Sequence, residues 1–200
     1  MDLNSNQQAF FALVKAGLWE QEVRLAQFEK IDYSAIYRLA EEQSVIGLIT
    51  SGLDKVADVI APQEHILQFV GSTMQIEQRN KAMNDFVAKL IEILRSHDIY
   101  AILVKGQGIA PCYERPLWRA CGDIDLLLSR ENYEKAKSFL ISIASSVDEE
   151  DQKRQHLAMT IDSFVVELHG TLHGAVSKRE ETELDVVKKI FLKVVQCVLG

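Results

Sequence analysis

The stretch Arg119-Ala-Cys-Gly-Asp-Ile-Asp-Leu-Leu-Leu128 reads as a loop running into a buried strand, yet the strand carries two aspartates two positions apart. Side chains alternate across a strand, so Asp123 and Asp125 share one face, with Cα atoms about 6.6 Å apart. Ile124, Leu126 and Leu128 point the other way, into a core. Two ionised carboxylates this close repel, and neither is buried cheaply without compensation. A divalent cation resolves the conflict, because Mg²⁺ takes hard oxygen ligands and is commonly held by one or two carboxylates plus substrate phosphates. An acidic outer face on a surface strand is the plainer alternative. Aspartate is a poor strand former, and two in one strand favour the functional reading.

The surroundings of this strand divide the chain. Upstream, the pattern is helical: residues 6–29, with Phe10, Leu13, Val14 and Leu18 at helical spacing and Gly17 as a break; then a helix capped by Asp32 and reaching Leu48. Gly47 and Gly52 weaken its later half. Pro62 opens a helix to Val70, and Thr73–Ser96 is long and amphipathic. Near His97 the periodicity changes. Ile99–Val104 reads as a buried strand, 107–113 as a short helix, 115–122 as a loop, Asp123–Leu128 as the aspartate strand and Asn132–Ile143 as an amphipathic helix. Ser145–Arg154 is a polar loop. His156–Thr160 and Phe164–Leu168 alternate around Ile161-Asp-Ser163 as an antiparallel hairpin, and Glu180–Val198 is helical again. The expectation is an α+β architecture: a helical region over residues 1–96, then a core over residues 97–200 with a mixed β-sheet flanked by helices.

Composition narrows the function classes. A net charge of −7 disfavours a broad basic surface for nucleic acid. Three cysteines, at 112, 121 and 197, are an odd number without Cys-x-x-Cys spacing, and read as free thiols in a reducing cytosol. The N-terminus lacks the basic start and apolar run of a signal peptide, and no apolar run approaches the ~18 residues that span a bilayer. A cytoplasmic protein without a membrane partner is expected.

Three blocks in order, Leu103-Val-Lys-Gly-Gln-Gly108, Arg119-x-x-Gly-Asp-Ile-Asp-Leu-Leu127 and Val165-Val-Glu-Leu-His169, resemble the polymerase-beta-like nucleotidyltransferase superfamily. The likeness is to a bacterial branch with Lys-Gly, Arg-x-x-(Gly/Ser)-Asp-Ile-Asp and (Asp/Glu)-Leu-His, and covers about residues 30–170. Gly-Asp-Ile-Asp is its most specific part. Where the superfamily usually has Gly-Ser or Gly-Gly after the first strand, this chain has Lys-Gly-Gln-Gly. Relatives of the branch usually continue into further helices, so a chain ending at Gly200 reads as cut short or as a short member.

The resemblance implies a site. Asp123, Asp125 and a third carboxylate would hold two cations about 3.5–4 Å apart, Mg²⁺ or Mn²⁺. Glu167 is the third candidate: a lone carboxylate in the apolar Val165–Leu168 strand is costly without a cation or donors, and by analogy that strand neighbours the aspartate strand. Gly106 and Gly108 follow a buried strand, where bare backbone can approach phosphate; a tight strand-to-helix turn explains them equally. Lys105 places a positive charge there, for phosphate or for the carboxylates. Arg119 matches the basic motif position and would reach the triphosphate or pair with the acidic cluster. His169 and His173 have the i, i+4 spacing of a helical metal pair, but the strand pattern and Gly170 and Gly174 oppose it. His169 is expected to orient Glu167 or pack beside it, with His156 brought near by the hairpin. The implied reaction moves a nucleoside monophosphate from a nucleoside triphosphate to a hydroxyl acceptor and releases pyrophosphate. The competing classes are a non-catalytic nucleotide-binding or protein-interaction module on the same fold, and a scaffold built on the helical half.

Overall fold

The computed structural model describes residues 3–171 together with Val186 and Lys188. Apart from those two, the helix expected over Glu180–Val198 lies outside the described residues, as do His173, Gly174 and Cys197. The architecture is α+β, with six helices and a five-stranded mixed sheet among the described residues. No helix of those residues is long and apolar enough to cross a membrane.

The chain forms two compact units, Met1–Ala82 with Ala110–Cys121, and Met83–Ile109 with the chain from Gly122 onward. In the first unit, helix α1 (Ser5–Trp19) opens with a capping box: Asn4 Oδ1 accepts from the Gln7 amide, and the Asn4 amide donates to Gln7 Oε1. It ends ten residues earlier than expected, because Glu20 turns left-handed (φ 51°) and Val23 leaves to form a parallel bridge with Val56. Gly17 does not break the helix. A Cβ there would run into the Leu48 carbonyl oxygen, and one at Gly52 into the Leu13 carbonyl, so these glycines let α1 and α3 (Ile46–Asp54) cross almost backbone to backbone. The expected single helix from Asp32 to Leu48 is two. Asp32 caps α2 (Tyr33–Glu42), accepting from the Ala35 amide, and the chain turns at Ser44 (φ 55°) before α3 begins.

Phe10, Leu13, Leu25, Ile36, Ile49 and Phe69 form the core of this unit. Residues 110–121 pack onto it through polar anchors. Buried Asn80 donates to the Leu117 and Arg119 carbonyls, and Trp118 Nε1 donates to Glu77. Arg115 pairs with Glu20 and Asp54. The segment contains two 3₁₀ turns, Ala110–Cys112 and Pro116–Trp118. The two helices expected around Gly71 are one, α4 (Gln63–Ser96), and a Cβ at Gly71 would meet nothing within 4 Å.

In the second unit the sheet order is β1-β2-β5-β4-β3, with β1 Ala101–Val104, β2 Asp123–Leu128, β3 Ser146–Val147, β4 His156–Ile161 and β5 Phe164–His169. β2 and β5 are parallel; the other pairings are antiparallel. The hairpin turn is Asp162-Ser163, both at positive φ, as a two-residue turn with right-handed strand twist requires. β3 is a short addition within the expected polar loop. One sheet face is apolar and buried through Ile124, Leu126, Leu128, Leu157, Met159, Ile161, Val166 and Leu168. Phe86 of α4 stacks on Phe164 there, and α6 (Arg130–Ile141), capped by Ser129, contributes Tyr133, Ala136 and Leu140 to the core. The opposite face carries the polar residues of β2, β4 and β5.

Glu20 couples α1 to the 110–121 segment. Lys55 Nζ at 2.7 Å, Ser51 Oγ at 2.6 Å and Arg115 Nε at 3.2 Å hold its carboxyl at about 2 instead of the ordinary 4.5. A depressed carboxyl stabilises the fold above its unfolded value and loses that contribution as pH falls toward its folded value. Wild type should therefore melt above Glu20→Gln at neutral pH, and the gap should close between pH 4.5 and about 2. A gap that persists at the acid end would show that the Glu20 charge is not its source.

Candidate functional site

The aspartates reach the site because β2 and β5 run parallel with Asp125 opposite Glu167 and Asp123 opposite Val165. Directly opposed residues share a face, so this register puts Asp123, Asp125, Glu167 and His169 on the same side of the sheet. β4 adds His156, which stands opposite His169. The hairpin fixes that pairing, since positions 161 and 164 pair next to a two-residue turn. The three expected carboxylates converge: each offers an oxygen, and these oxygens lie within 4.8 Å of one another. Asp123 and Glu167 are half-buried, whereas Asp125 is 1% exposed.

Lys105 begins α5 (Lys105–Ile109) directly after β1, at φ 52°. Its Nζ lies 2.5 Å from Asp125 Oδ1. The hydrogen bond to Asp125 and the charges of Asp125, Glu167 and Asp123 raise the Lys105 pKa above its ordinary 10.5, against partial burial. The ammonium therefore responds to all three carboxylates. His169 Nε2 also reaches Asp125 Oδ1, at 2.8 Å, and lies 3.3 Å from Glu167 Oε2; His156 Nε2 lies 3.3 Å from that same oxygen. His169 thus bridges Asp125 and Glu167, a fuller role than orienting Glu167 alone.

The two oxygens of Asp125 differ. Oδ1 accepts from Lys105 and His169, while Oδ2 is buried without a hydrogen-bond partner among the described residues. A buried carboxylate oxygen left without a donor carries a desolvation penalty of about 1–3 kcal/mol, and more where the group is charged. Hard oxygen donors from three carboxylates around such an atom fit a divalent cation. Asp123, Asp125 and Glu167 are the residues that could hold it.

The turn after β1 is tight. Gly106 (φ 9°, ψ −111°) interrupts the helical backbone, and a Cβ there would lie 3.3 Å from the Asp123 carbonyl oxygen, so this turn runs alongside the start of the aspartate strand. A Cβ at Gly108 would come within 2.6 Å of the Leu103 carbonyl oxygen. Gly108 is therefore needed for α5 to fold back on β1, and its replacement would disturb the turn itself. Arg119 belongs to the first unit, where its guanidinium lies over the Tyr113 ring at 5.6 Å and Nη1 donates to Cys121 Sγ at 2.9 Å. Cys112 and Cys121 are free thiols.

Residues 29–194 match the model of a family described as an uncharacterised nucleotidyltransferase. No curated protein and no solved structure matches the chain. The matched span contains Lys105, Asp123, Asp125, His156, Glu167 and His169.

Lys105 is 63% exposed at its side chain, so its pair with Asp125 competes with solvent and is worth at most about 1 kcal/mol. Lys105→Met should then tighten Mn²⁺ binding in the absence of nucleotide by up to about fivefold, because a cation no longer meets a like charge on Asp125. Electron paramagnetic resonance of free Mn²⁺ measures this. Affinity that falls in the variant would show that Lys105 supports the ion instead of competing with it.

Proposed function

The chain belongs to the uncharacterised nucleotidyltransferase family, and we propose that it transfers a nucleoside monophosphate from a nucleoside triphosphate to a hydroxyl acceptor, with release of pyrophosphate. The observation that carries this reading is the orphaned, buried Asp125 Oδ2, in a cluster where Asp123 and Glu167 also offer oxygens. Asp123, Asp125 and Glu167 would hold Mg²⁺ or Mn²⁺, as in the polymerase-beta-like superfamily that the Gly-Asp-Ile-Asp block resembles. Such ions neutralise phosphate charge and stabilise the attacking and leaving oxygens of an in-line displacement.

The chain's own groups account for the remaining roles. Glu167 accepts the acceptor's hydroxyl proton. The acceptor oxygen bonds to the α-phosphorus as the bond to the bridging oxygen breaks, and the electron pair leaves on pyrophosphate. Lys105, exposed at its tip, exchanges Asp125 for a phosphate oxygen of the incoming triphosphate. Gly106 and Gly108 keep the turn free of side chains beside the phosphates. In this reading residues 97–200 carry the chemistry and residues 1–96 are a helical region. The acid net charge favours a small-molecule or protein hydroxyl over a nucleic-acid end.

One observation favours a second reading. Lys105 and His169 already pair with Asp125, so the cluster is partly satisfied without a cation, as a non-catalytic nucleotide-binding module would need.

Water as a poor surrogate acceptor separates these readings. Wild type incubated with each of ATP, CTP, GTP and UTP and Mg²⁺ should slowly yield the monophosphate and pyrophosphate from at least one. The same triphosphate at ~100 times its Kd should add about 2.7 kcal/mol of stability, seen as a melting rise that EDTA removes. Asp125→Asn should lower product formation by about a hundredfold or more. Metal-dependent binding without product supports the module, and a diphosphate with orthophosphate, or no response to any triphosphate, overturns the transfer reading.

A further inference from the structure

A cation held by oxygens alone takes no ligand from two groups of the cluster, the imidazoles of His156 and His169. Their rings are 4.9 Å apart at 44°, and each Nε2 lies 3.3 Å from the one oxygen, Glu167 Oε2. That separation is long for a hydrogen bond between imidazolium and carboxylate, which settles near 2.7–2.9 Å. It is, however, the spacing of two neighbouring ligands on a tetrahedral ion: donors ~2.0–2.1 Å from the metal stand about 3.3 Å apart. The ligand atoms of His156, Glu167 and His169 all lie within 4.8 Å of one another, and all three side chains are partly open to solvent. Two nitrogens and one oxygen thus converge from the sheet, leaving the outward positions for solvent or substrate.

Chemistry distinguishes this trio from the carboxylate trio. Mg²⁺ dehydrates reluctantly and takes oxygen ligands, whereas imidazole suits Zn²⁺, Co²⁺ and other first-row transition ions. We propose that His156, Glu167 and His169 form a second, nitrogen-bearing cation position selective for a first-row transition-metal ion. It adjoins the Asp123–Asp125–Glu167 position and shares Glu167 with it. His169 Nε2 would exchange its hydrogen bond to Asp125 for the metal, and Lys105 remains on Asp125 Oδ1. The proposal stands without nucleotide transfer, since it requires only that this face bind an ion through nitrogen.

The test is a titration of EDTA-treated wild-type protein with Co²⁺ in millimolar Mg²⁺ and no nucleotide, following the visible ligand-field bands. One Co²⁺ per chain should bind despite the excess Mg²⁺. His156→Ala should weaken it at least tenfold, while Asp123→Asn should hold Co²⁺ within about threefold of wild type and, in a separate melt with Mg²⁺ and triphosphate, lose the EDTA-sensitive rise. That pattern separates this position from the carboxylate one, whose failure would appear as an absent EDTA-sensitive melting rise with Co²⁺ binding intact. Zn²⁺ titration of the wild type, read from the imidazole ¹⁵N resonances, needs no variant: Nε2 of both His156 and His169 should shift together. Co²⁺ displaced by equimolar Mg²⁺, His156→Ala binding as wild type does, or resonances that do not move would overturn the proposal and leave the histidines as hydrogen-bond partners of the carboxylates.

Discussion

The parallel pairing of β2 with β5, in the register that opposes Asp125 and Glu167, is what the site depends on. A shift by one residue would turn Glu167 and His169 toward the apolar face and bring Val166 and Leu168 beside the aspartates. The register is held by what lies behind it. Ile124, Leu126, Leu128, Val166 and Leu168 are all buried on the opposite face, so any slip would expose that set. Burial of one face therefore positions the carboxylates and histidines on the other. The core is the part of the fold that sets the distances between carboxylates.

Placing carboxylates together creates an electrostatic problem that the rest of the second unit answers. Asp125, 1% exposed, cannot lean on solvent, and receives Lys105 Nζ and His169 Nε2 on one oxygen. Lys105 reaches it because the chain turns sharply at Gly106 and folds back over β1 at Gly108, with Lys105 itself at positive φ. A left-handed conformation at a residue with a side chain is uncommon and costs of order 1 kcal/mol or more. It persists here beside a buried charge, a place where stored strain and function often coincide. Oδ2 of Asp125 is the one buried side-chain oxygen or nitrogen without a hydrogen-bond partner among the described residues.

Much of this is legible in the residues and some is not. Asp123–Leu128 is readable because a run of six with aspartates at alternate positions and branched apolar residues between them has the period of a strand and no other element. The hairpin is readable from Asp162-Ser163 between two alternating runs. Helix ends are less so. The pattern over residues 6–29 does not reveal that Val23 pairs with Val56, and the glycines at 17 and 52 look like breaks until Leu48 and Leu13 are seen against them. Local propensity carries no record of the backbone that will approach a glycine. His156 is legible in part: the hairpin brings it near the site, but only strand register decides that it stands opposite His169. Its distance in sequence from Glu167 follows from hairpin geometry, which no metal-ligand spacing rule anticipates.

We propose Asp125 Oδ2 as a cation ligand between Asp123 and Glu167. Crystals grown with Mn²⁺ and a non-hydrolysable nucleoside triphosphate, measured for anomalous scattering, test it most directly. A Mn²⁺ peak is expected about 2.0–2.3 Å from Asp125 Oδ2, with oxygens of Asp123, Glu167 and the triphosphate completing its ligands and Lys105 Nζ moved from Oδ1 to a phosphate. A triphosphate bound with no peak touching Asp125, or with Mn²⁺ confined to the histidines, would contradict it.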